Sequence, residues 1–436
     1  MSKKLISRVF IVHLCAILLI LLPALTRANH IPRIIVEIRY SGNDVTKASV
    51  LEQEMLVKRG DRVNLRKIEE SRQAIMDLGL FKSVKSELSI VDHGYLLSIA
   101  VEEKYYILPL PRLDRTADGE VRYGLQLRMD NMLGLNHKAK LMARAAESGE
   151  EKGEREKMVS FSYRVPRWIN SPYGLKVAFG HEREKKEIKA EDDSLHDLSR
   201  HRHRVEWSIS RFIKKTGPSQ GWKFSLGAKW IHEDILKLEG DIDGYEDTTA
   251  VSVTSSVKFS DLHDLLYSKK GVEYGYSVDQ GERFMGGDRE FNTHEWFYRR
   301  YIPLGRIPHQ RLNTQVKLGV SNGRAFNNQD DAFSLGGSTT LRGHEKESVD
   351  GRSFFLANFE YLVPLLSINA FRGLIFYDVG NAYATNRLRF GNLDSTVGLG
   401  VRLKLKSFIR LRLRGELAWG LDSDAFKIYL GTKSAF

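Results

Sequence analysis

The part of the chain that follows residue 103 consists of segments of about ten residues in which apolar and polar side chains alternate. A period of two is typical of β-strands, because successive side chains of a strand point to opposite faces of the sheet. The pattern therefore predicts a mostly β protein with sixteen strands in this region. The predicted strands cover residues 104–113, 120–130, 136–146, 156–166, 173–183, 202–213, 221–232, 248–260, 270–280, 292–302, 311–321, 352–363, 371–380, 396–405, 408–420 and 425–436.

The connections between these strands fall into two classes that alternate along most of the chain. Bacterial membrane barrels have an even number of antiparallel strands, short periplasmic turns and longer external loops. We therefore predict a 16-stranded antiparallel transmembrane β-barrel over residues 104–436. The long, charged connections are 147–155, 184–201, 233–247, 281–291, 322–351 and 381–395, and the short ones are 131–135, 167–172, 214–220, 303–310, 364–370 and 406–407.

The two faces of the predicted strands differ in a way that indicates a membrane. In 396–405, for example, Leu399 and Val401 share one face and Arg402 and Lys404 share the other. A Lys or Arg at the bilayer midplane costs about 2–4 kcal/mol, so the basic face must point into a water-filled lumen. A soluble β-sandwich would also alternate, but it would bury its apolar face against a second sheet. The loop pattern, the export signal and the aromatic Phe436 favour the membrane barrel.

The first residues have the features of a secretory signal. Three basic side chains precede an apolar run at residues 9–22, and Ala28 offers a small residue at which a peptidase cleaves. We therefore predict that residues 1–28 are a signal peptide. A retained membrane anchor is the alternative, but the run is short and the cleavage site follows it closely.

Cysteine usage and charge narrow the possible partners. Cys15 is the only cysteine, and it lies in the predicted signal, so the mature chain has no disulfide, cysteine catalysis or cysteine-based metal site. The whole sequence has a net charge of +12. Removing the signal removes four basic residues and no acid, which leaves 12 − 4 = +8. For an exported basic chain, outer-membrane lipid or lipopolysaccharide is the expected anionic partner, and nucleic acid is not.

Residues 30–103 are predicted to form a small periplasmic domain with the order β-α-α-β-β. The predicted strands are 34–40, 84–90 and 95–102, and the predicted helices are 47–57 and 64–78, with Asn64 as N-cap. This order, and the segment LGLFKSVKSEL at 78–88, resemble a POTRA domain. The resemblance implies that unfolded clients bind at an exposed sheet edge. A domain that only packs under the barrel as a spacer or plug is the alternative.

Three motifs in the barrel region resemble the BamA/TamA/FhaC superfamily. FSLGGSTTLRGH, at 333–344 in the longest loop, is similar to the VRGF/Y motif of that family but departs from it at the first and last positions. FYDVG, at 376–380, matches the FxDxG motif, and Glu360 occupies the family's acidic position one strand earlier. GLQLRMDNMLG, at 124–134, resembles the second barrel strand and its turn. The chain has one POTRA-like domain, whereas the named members have two or more.

The strand alternation gives these motif residues a physical role. Glu360 and Asp378 fall on the inward faces of adjacent predicted strands, so they can share one guanidinium in the lumen. Arg342 is the predicted bidentate donor, and its role is to hold the loop inside the barrel. Three ordinary lumenal charges are the alternative. We call the group of Arg342, Glu360 and Asp378 the loop latch, and we predict that Gly343, Phe376 and Gly380 of the two motifs also belong to it.

The first predicted barrel strand contains two prolines, Pro109 and Pro111. Each lacks an N–H donor, and because they are two residues apart both gaps face the same neighbour. We predict that this neighbour is the last strand, which ends at Phe436, so that the closing seam is poorly paired and opens to a client strand. The alternative is that the prolines only end the linker before the strand starts.

The sequence contains no catalytic constellation. G-x-S-x-G, P-loop and HExxH motifs are absent, so we predict no enzyme activity, no metal site and no cofactor. His196, His201 and His203 lie close together in the sequence, and His-x-His on a strand is a possible metal pair. The preferred interpretation of these histidines is a solvated extracellular loop.

The resemblance implies a function in the bacterial outer membrane. We predict that the chain assembles or inserts outer-membrane proteins, or translocates polypeptides, in the way of BamA and TamA. The client is expected to bind at the POTRA edge and the barrel seam. A dedicated secretion pore for one partner, as in FhaC, and a lipid-handling or structural barrel are the alternatives. The client and the oligomeric state stay open.

Overall fold

The computed structural model describes residues 33–115, 121–146, 157–189, 195–214, 220–239, 246–323, 333–345, 348–409, 411–423, 425–432 and 435–436. The predicted signal peptide and Cys15 lie outside these ranges. No helix within them is long and apolar enough to cross a membrane.

The first described residues form a small module of three strands and two helices. Its elements are β1 (Ile35–Ser41), α1 (Ala48–Glu52), α2 (Leu65–Asp77), β2 (Phe81–Val91) and β3 (Gly94–Glu103). β3 lies in the centre of the sheet, parallel to β1 and antiparallel to β2. The Asn64 side chain accepts a hydrogen bond from the Lys67 N–H at 3.1 Å, so it caps α2 as predicted.

The first helix is shorter than the predicted range of 47–57. Lys47 provides no side-chain cap, and the first turn has no acidic residue to favour the helix dipole. Beyond Glu52 the backbone turns, which lets Val57 enter the core and lets the Leu56 N–H donate to the Ser71 hydroxyl at 2.8 Å. Tertiary packing therefore overrides the local helical pattern here.

The other described residues contain a single sheet of sixteen antiparallel strands, which confirms the predicted fold class. Two further short strands pair with each other in the longest loop. The sheet strands are β4 (Ile107–Arg115), β5 (Val121–Met132), β6 (His137–Ala146), β7 (Lys157–Val165), β8 (Tyr173–Lys189), β9 (Leu195–Lys214), β10 (Gly221–Glu239), β11 (Thr248–Asp264), β12 (Lys269–Gly281), β13 (Phe291–Pro303), β14 (Arg311–Gly323), β17 (Ser353–Leu365), β18 (Ile368–Tyr383), β19 (Asp394–Lys404), β20 (Arg412–Gly420) and β21 (Phe426–Gly431), and the loop strands are β15 (Phe333–Leu335) and β16 (Val349–Gly351).

Strands β8, β9 and β10 extend well into regions predicted to be loops. The predicted loop at 184–201 is largely strand, because charged side chains there pair across the ladder. Arg200 contacts Glu184 at 2.7 Å, and Arg202 contacts Glu233 on β10 at 2.7 Å. Opposite charges directly across neighbouring strands stabilise the pairing of the strands.

The alternation of faces follows the prediction in the C-terminal strands, except at one end. Leu399 and Trp419 are exposed on the outer face, while Arg402 is buried on the lumenal face. Phe408, Ile409 and Leu411, however, are not the start of a strand as predicted. Ile409 is 2% exposed and joins the core of the N-terminal module, and Leu411 packs with residues of β4. Contact with the module overrides the alternation here.

The module lies against the short turns at one end of the barrel. Asp77, at the end of α2, accepts from the Asp264 N–H at 2.7 Å and contacts the His263 ring at 3.0 Å. On another turn, the Arg167 guanidinium forms an ion pair with the buried Glu54. Turns on separate parts of the barrel rim thus hold the module in place.

A hydrogen-bonded joint also connects the module to the first barrel turn. The Glu103 carboxylate accepts from the N–H groups of Val45 at 3.0 Å and Thr46 at 2.7 Å. Asn131 donates to the Thr46 hydroxyl at 2.9 Å. Burial raises the pKa of Glu103, but the hydrogen bonds from Thr46 and Val45 outweigh it and hold the pKa below its usual range.

We expect this joint to weaken in acid. Because the folded-state pKa of Glu103 lies below its unfolded value of about 4.3, the stabilisation is complete above that value and is lost as the pH falls through the lower folded pKa. Hydrogen exchange of the full chain in detergent, corrected for the intrinsic rate, should show loss of protection at Val45 and Thr46 below about pH 4. Glu103→Gln should cause the same loss at neutral pH, and Asp92→Asn, in an exposed turn, should not. Full protection in E103Q would show that other contacts hold the joint.

Candidate functional site

The described part of the longest loop, residues 333–345 and 348–352, folds back into the lumen of the barrel. Its two short strands, β15 and β16, pair with each other. Phe333 and Leu335 of β15 pack against Phe354 and Leu356 on the inner face of β17 in a buried cluster. This packing places the LRGH segment in the lumen, where Arg342 is fully buried.

Arg342 contacts three carboxylates on three strands. Its Nε and Nη2 donate to the two oxygens of Asp378 at 2.7 and 2.8 Å, which is a bidentate pair. Its Nη1 donates to Glu360 at 2.9 Å and to Glu416 at 3.1 Å. The guanidinium also lies 3.6 Å from the ring centroid of Phe376, a cation–π contact. The predicted contact of Arg342 with Glu360 and Asp378 is therefore present.

Two more arginines complete the cluster. Arg402 donates to Glu360 at 2.7 and 2.5 Å and to Glu416 at 2.9 Å. Arg414 donates to Glu416 at 2.9 Å and to the Ser338 carbonyl of the loop at 2.9 Å. Three guanidiniums thus meet three carboxylates, and the cluster is neutral. The same alternation along residues 408–420 puts Arg414 and Glu416 on the lumenal face with Arg402, but it does not indicate that they contact the loop.

The two glycines of the motifs stand where a side chain does not fit. Gly343 has a φ of +93°, and a Cβ there would lie 2.9 Å from the Gly420 nitrogen. At Gly380 a Cβ would lie 2.5 Å from the Phe355 carbonyl oxygen on β17. Both positions let backbone segments approach closely around the loop.

The loop is also bound to the last strand of the sheet. The Gly343 N–H donates to the Tyr429 hydroxyl at 3.2 Å, and that hydroxyl donates to the His344 carbonyl at 3.3 Å. Lys427 forms an ion pair with Glu345 at 3.1 Å. Sequence reasoning missed Tyr429 and Lys427. Their inward parity on the last strand was the available signal.

β4 is hydrogen-bonded to a neighbouring strand, β5, on one side. Hydrogen-bonded pairs alternate along an antiparallel ladder. The Asp130 N–H donates to the Tyr106 carbonyl at 2.8 Å, so even-numbered residues of β4 bond to β5 and odd-numbered residues face the other edge. Pro109 and Pro111 therefore place both missing donors at the edge away from β5. They lie inside the strand and do not precede it.

The sheet begins at β4 and ends at β21, and the described residues of these two strands do not pair through their backbones. Side chains cross the gap instead. The Arg112 guanidinium donates to the Thr432 hydroxyl at 3.0 Å. Below it, Leu108 and Leu110 pack with Leu411. Just before β4, the Tyr105 N–H donates to the Ser407 carbonyl at 2.8 Å, and the Tyr105 carbonyl accepts from the Ile409 N–H at 3.4 Å. Beyond this short bridge, the described part of the seam is closed by side-chain contacts and not by a strand ladder.

Phe436 does not lie on the last strand as predicted. β21 ends at Gly431, whose φ of +148° is a backbone conformation that other residues rarely adopt. The Phe436 ring lies 6.1 Å from the ring of Tyr301, a buried residue of β13. Phe436 is therefore beside β13 and not in a ladder at the seam.

The histidines predicted to lie in a solvated loop belong to paired strands. His201 and His203 lie on β9, and the ring of His203 is 4.5 Å from that of His181 on β8. The described part of the chain contains no group of three or more histidine, cysteine or acidic residues able to hold a metal ion. The side chain of His196 is outside the described set.

Comparisons with known proteins agree with this architecture. Residues 131–429 match the Omp85 superfamily domain, and residues 34–104 match the POTRA model described as a surface antigen variable number repeat. BamA from Haemophilus ducreyi lacking POTRA domains 1–3 superimposes with a TM-score of 0.53 at 15% identity, covering 91% of this chain and 83% of that one. CdiB from Escherichia coli gives a TM-score of 0.62 at 14% identity, with 92% and 75% covered. CdiB from Acinetobacter baumannii gives 0.59 at 15%, with 91% and 73% covered.

At these identities the solved structures show a common fold, and the family model covers more than half of the chain. The protein therefore belongs to the Omp85 superfamily, the bacterial outer-membrane barrels that insert polypeptides into that membrane or move them across it.

Proposed function

We propose that this chain assembles β-barrel proteins into the outer membrane, in the manner of BamA, by offering the edge of β4 to a client strand. The unpaired edge is the observation that carries the proposal. An exposed strand edge is a template on which another chain adds by backbone hydrogen bonding.

Because of the two prolines, this edge offers hydrogen-bond acceptors to a client but lacks two of the donors. The carbonyls of Pro109 and Pro111 face the edge and accept hydrogen bonds from a client, but these residues return no N–H donors. A client strand that pairs here thus forms fewer hydrogen bonds than it would form in its own barrel. This difference favours release of the client after it has begun to fold.

The latch supports this function by fixing the loop to one side of the seam. Its ion pairs join β17, β18, β19 and β20, and Tyr429 adds β21. Separation of β4 from β21 therefore breaks none of these contacts. The C-terminal side of the seam acts as a rigid wall, while the β4 side moves.

The N-terminal module supplies a second edge for clients. Within the described part of the chain, β2 pairs only with β3, so its other side is an edge of the small sheet. Lys85, Glu87 and Ser89 are exposed along it. A client held at β2 lies at the periplasmic rim of the barrel, because the module contacts the barrel turns. The spacer role predicts instead that β2 is dispensable.

Depletion of the protein, followed by quantitative proteomics of outer membranes, tests this function against its alternatives. Assembly predicts that many barrel proteins fall together. Loss of one secreted protein, with barrels unchanged, would indicate a dedicated secretion pore. Altered lipid with normal protein content would indicate a lipid-handling or structural role, and either result would overturn the proposal.

A further inference from the structure

A second group of lumenal cations lies between the latch and the short turns at the periplasmic end of the barrel. Arg311 begins β14, Arg372 lies near the start of β18, Lys404 ends β19 and Arg412 begins β20. The register places Arg372 directly opposite Arg402 of the latch, and Lys404 directly opposite Arg412. Like charges in such cross-strand positions destabilise a sheet unless a counter-charge lies between them.

The described residues do not supply enough counter-charge. The latch carboxylates are already shared among three other guanidiniums. Lys404 has Asp264 at 3.5 Å. Arg311, Arg372 and Arg412 form no ion pair with a carboxylate among the described residues, so this group carries an excess of positive charge. Burying a charge without a partner costs free energy, so binding of an anion would stabilise this site.

Arg372 gives the strongest sign of a missing partner. Its side chain is fully buried, and Nε, Nη1 and Nη2 all lack a hydrogen-bond partner among the described residues. Arg311 is 3% exposed, and its Nε also lacks one. Guanidinium groups are planar forks suited to bind oxygen atoms in pairs. Several converging forks require a ligand with several acceptor oxygens.

Tyr301 and His309 complete the surroundings. Tyr301 is buried on β13, and its charged neighbours include Arg311 and Arg412. His309 lies in the turn before β14, and burial, followed by the nearby Arg372 and Arg311, lowers its pKa. A neutral imidazole and a phenol can both donate a hydrogen bond without adding charge.

We propose that Arg311, Arg372 and Arg412 form a binding site for a phosphate-class oxyanion at the periplasmic end of the lumen. A phosphate carries up to two charges and several acceptor oxygens, which matches the excess charge and the free N–H groups better than a single carboxylate does. The ligand is free phosphate or the phosphate of a glycolipid headgroup. The site does not depend on the identity of the client.

The test uses the full chain in neutral detergent, titrated with sodium phosphate, glucosamine 1-phosphate or acetate at constant ionic strength. Calorimetry gives the affinity, and heat-modifiability on gels confirms that each variant is folded. We expect phosphate to bind and acetate to bind at least about tenfold more weakly. Tighter binding of the sugar phosphate would identify a headgroup as the source, and equal or weaker binding would identify free phosphate.

Arg372→Met should weaken phosphate binding at least about tenfold, because it removes the most deeply buried guanidinium. Arg412→Gln, at a half-buried position, should also weaken phosphate binding. It replaces the first variant in the test if that variant folds poorly. Lys223→Met, which removes a lumenal charge from a separate cavity, should leave the affinity unchanged. In phosphate-free buffer R372M should be at least as heat-stable as the wild type. Equal phosphate binding in R372M and wild type, or binding of acetate as tight as phosphate, would overturn the proposal.

Discussion

Replacement of Arg342 by methionine is expected to release the long loop from the barrel lumen and to destabilise its folded position by about 3–5 kcal/mol. The substitution leaves Asp378 without its bidentate partner and leaves three carboxylates with two guanidiniums. Arg402 cannot compensate, because it is already bound to Glu360 and Glu416. Hydrogen exchange and protease cleavage at residues 333–345 measure the release.

The double variant R342M/D378N separates charge from packing. It restores equal numbers of positive and negative groups, so it should recover part of the protection that R342M loses. Arg342→Lys keeps the charge but loses the bidentate contact, so the protection of its loop should be intermediate between R342M and wild type. Arg300→Met, at an exposed position on β13, is the matched control and should leave the protection of the loop unchanged. Full protection of the loop in R342M would show that apolar packing of β15, and not the ion pairs, holds it.

Release of the loop should also lower the rate at which clients are inserted. A released loop leaves the lumen wet and frees Tyr429 from its contacts with Gly343 and His344. The wall formed by β21 then loses its support, so the seam no longer presents a defined gap. We expect R342M to insert a urea-unfolded barrel client into liposomes at least about tenfold more slowly than R300M.

Much of this cluster could be predicted from the sequence, because alternation decides which face of a strand a residue occupies. Glu360 and Asp378 were placed inward by their apolar neighbours, and the motif supplied Arg342. The parity of its strand also points Glu416 inward, but several lumenal charges share that face, and parity does not determine which of them are in contact. Which side chains converge depends on the stagger of the strands and on the path of the loop, and neither is written in a local pattern.

The errors occur where another part of the molecule competes with the local pattern. Ile409 continues the alternation of its predicted strand, yet it is buried in the module core. Val57 leaves a predicted helix for the same core. The charged ends of β8 and β9 have a sequence pattern typical of loops, but they form strands because they pair with charges on neighbouring strands. Long-range contacts decide all three cases, and a window of ten residues does not contain them.

Closing the seam with a covalent bridge is expected to abolish client insertion while leaving the barrel folded. The side chains of Arg112 and Thr432 meet at 3.0 Å across the gap. Cysteines at these two positions are therefore within reach of a short bifunctional thiol reagent that contains a cleavable disulfide. With the predicted signal peptide removed, the chain has no other cysteine, so the reagent acts only at the seam.

The bridged protein should insert a urea-unfolded client no faster than empty liposomes do, and reduction of the reagent should restore the rate. The physical reason is that a client strand can add to β4 only when that edge separates from β21. Gln280 and Asn292 are directly paired on β12 and β13, and a bridge between cysteines at those positions should leave the rate unchanged. Each single cysteine variant treated with the reagent controls for modification alone. Insertion at the wild-type rate through the R112C/T432C bridge would show that clients do not pass through this seam, and the unpaired edge of β4 would then need another explanation.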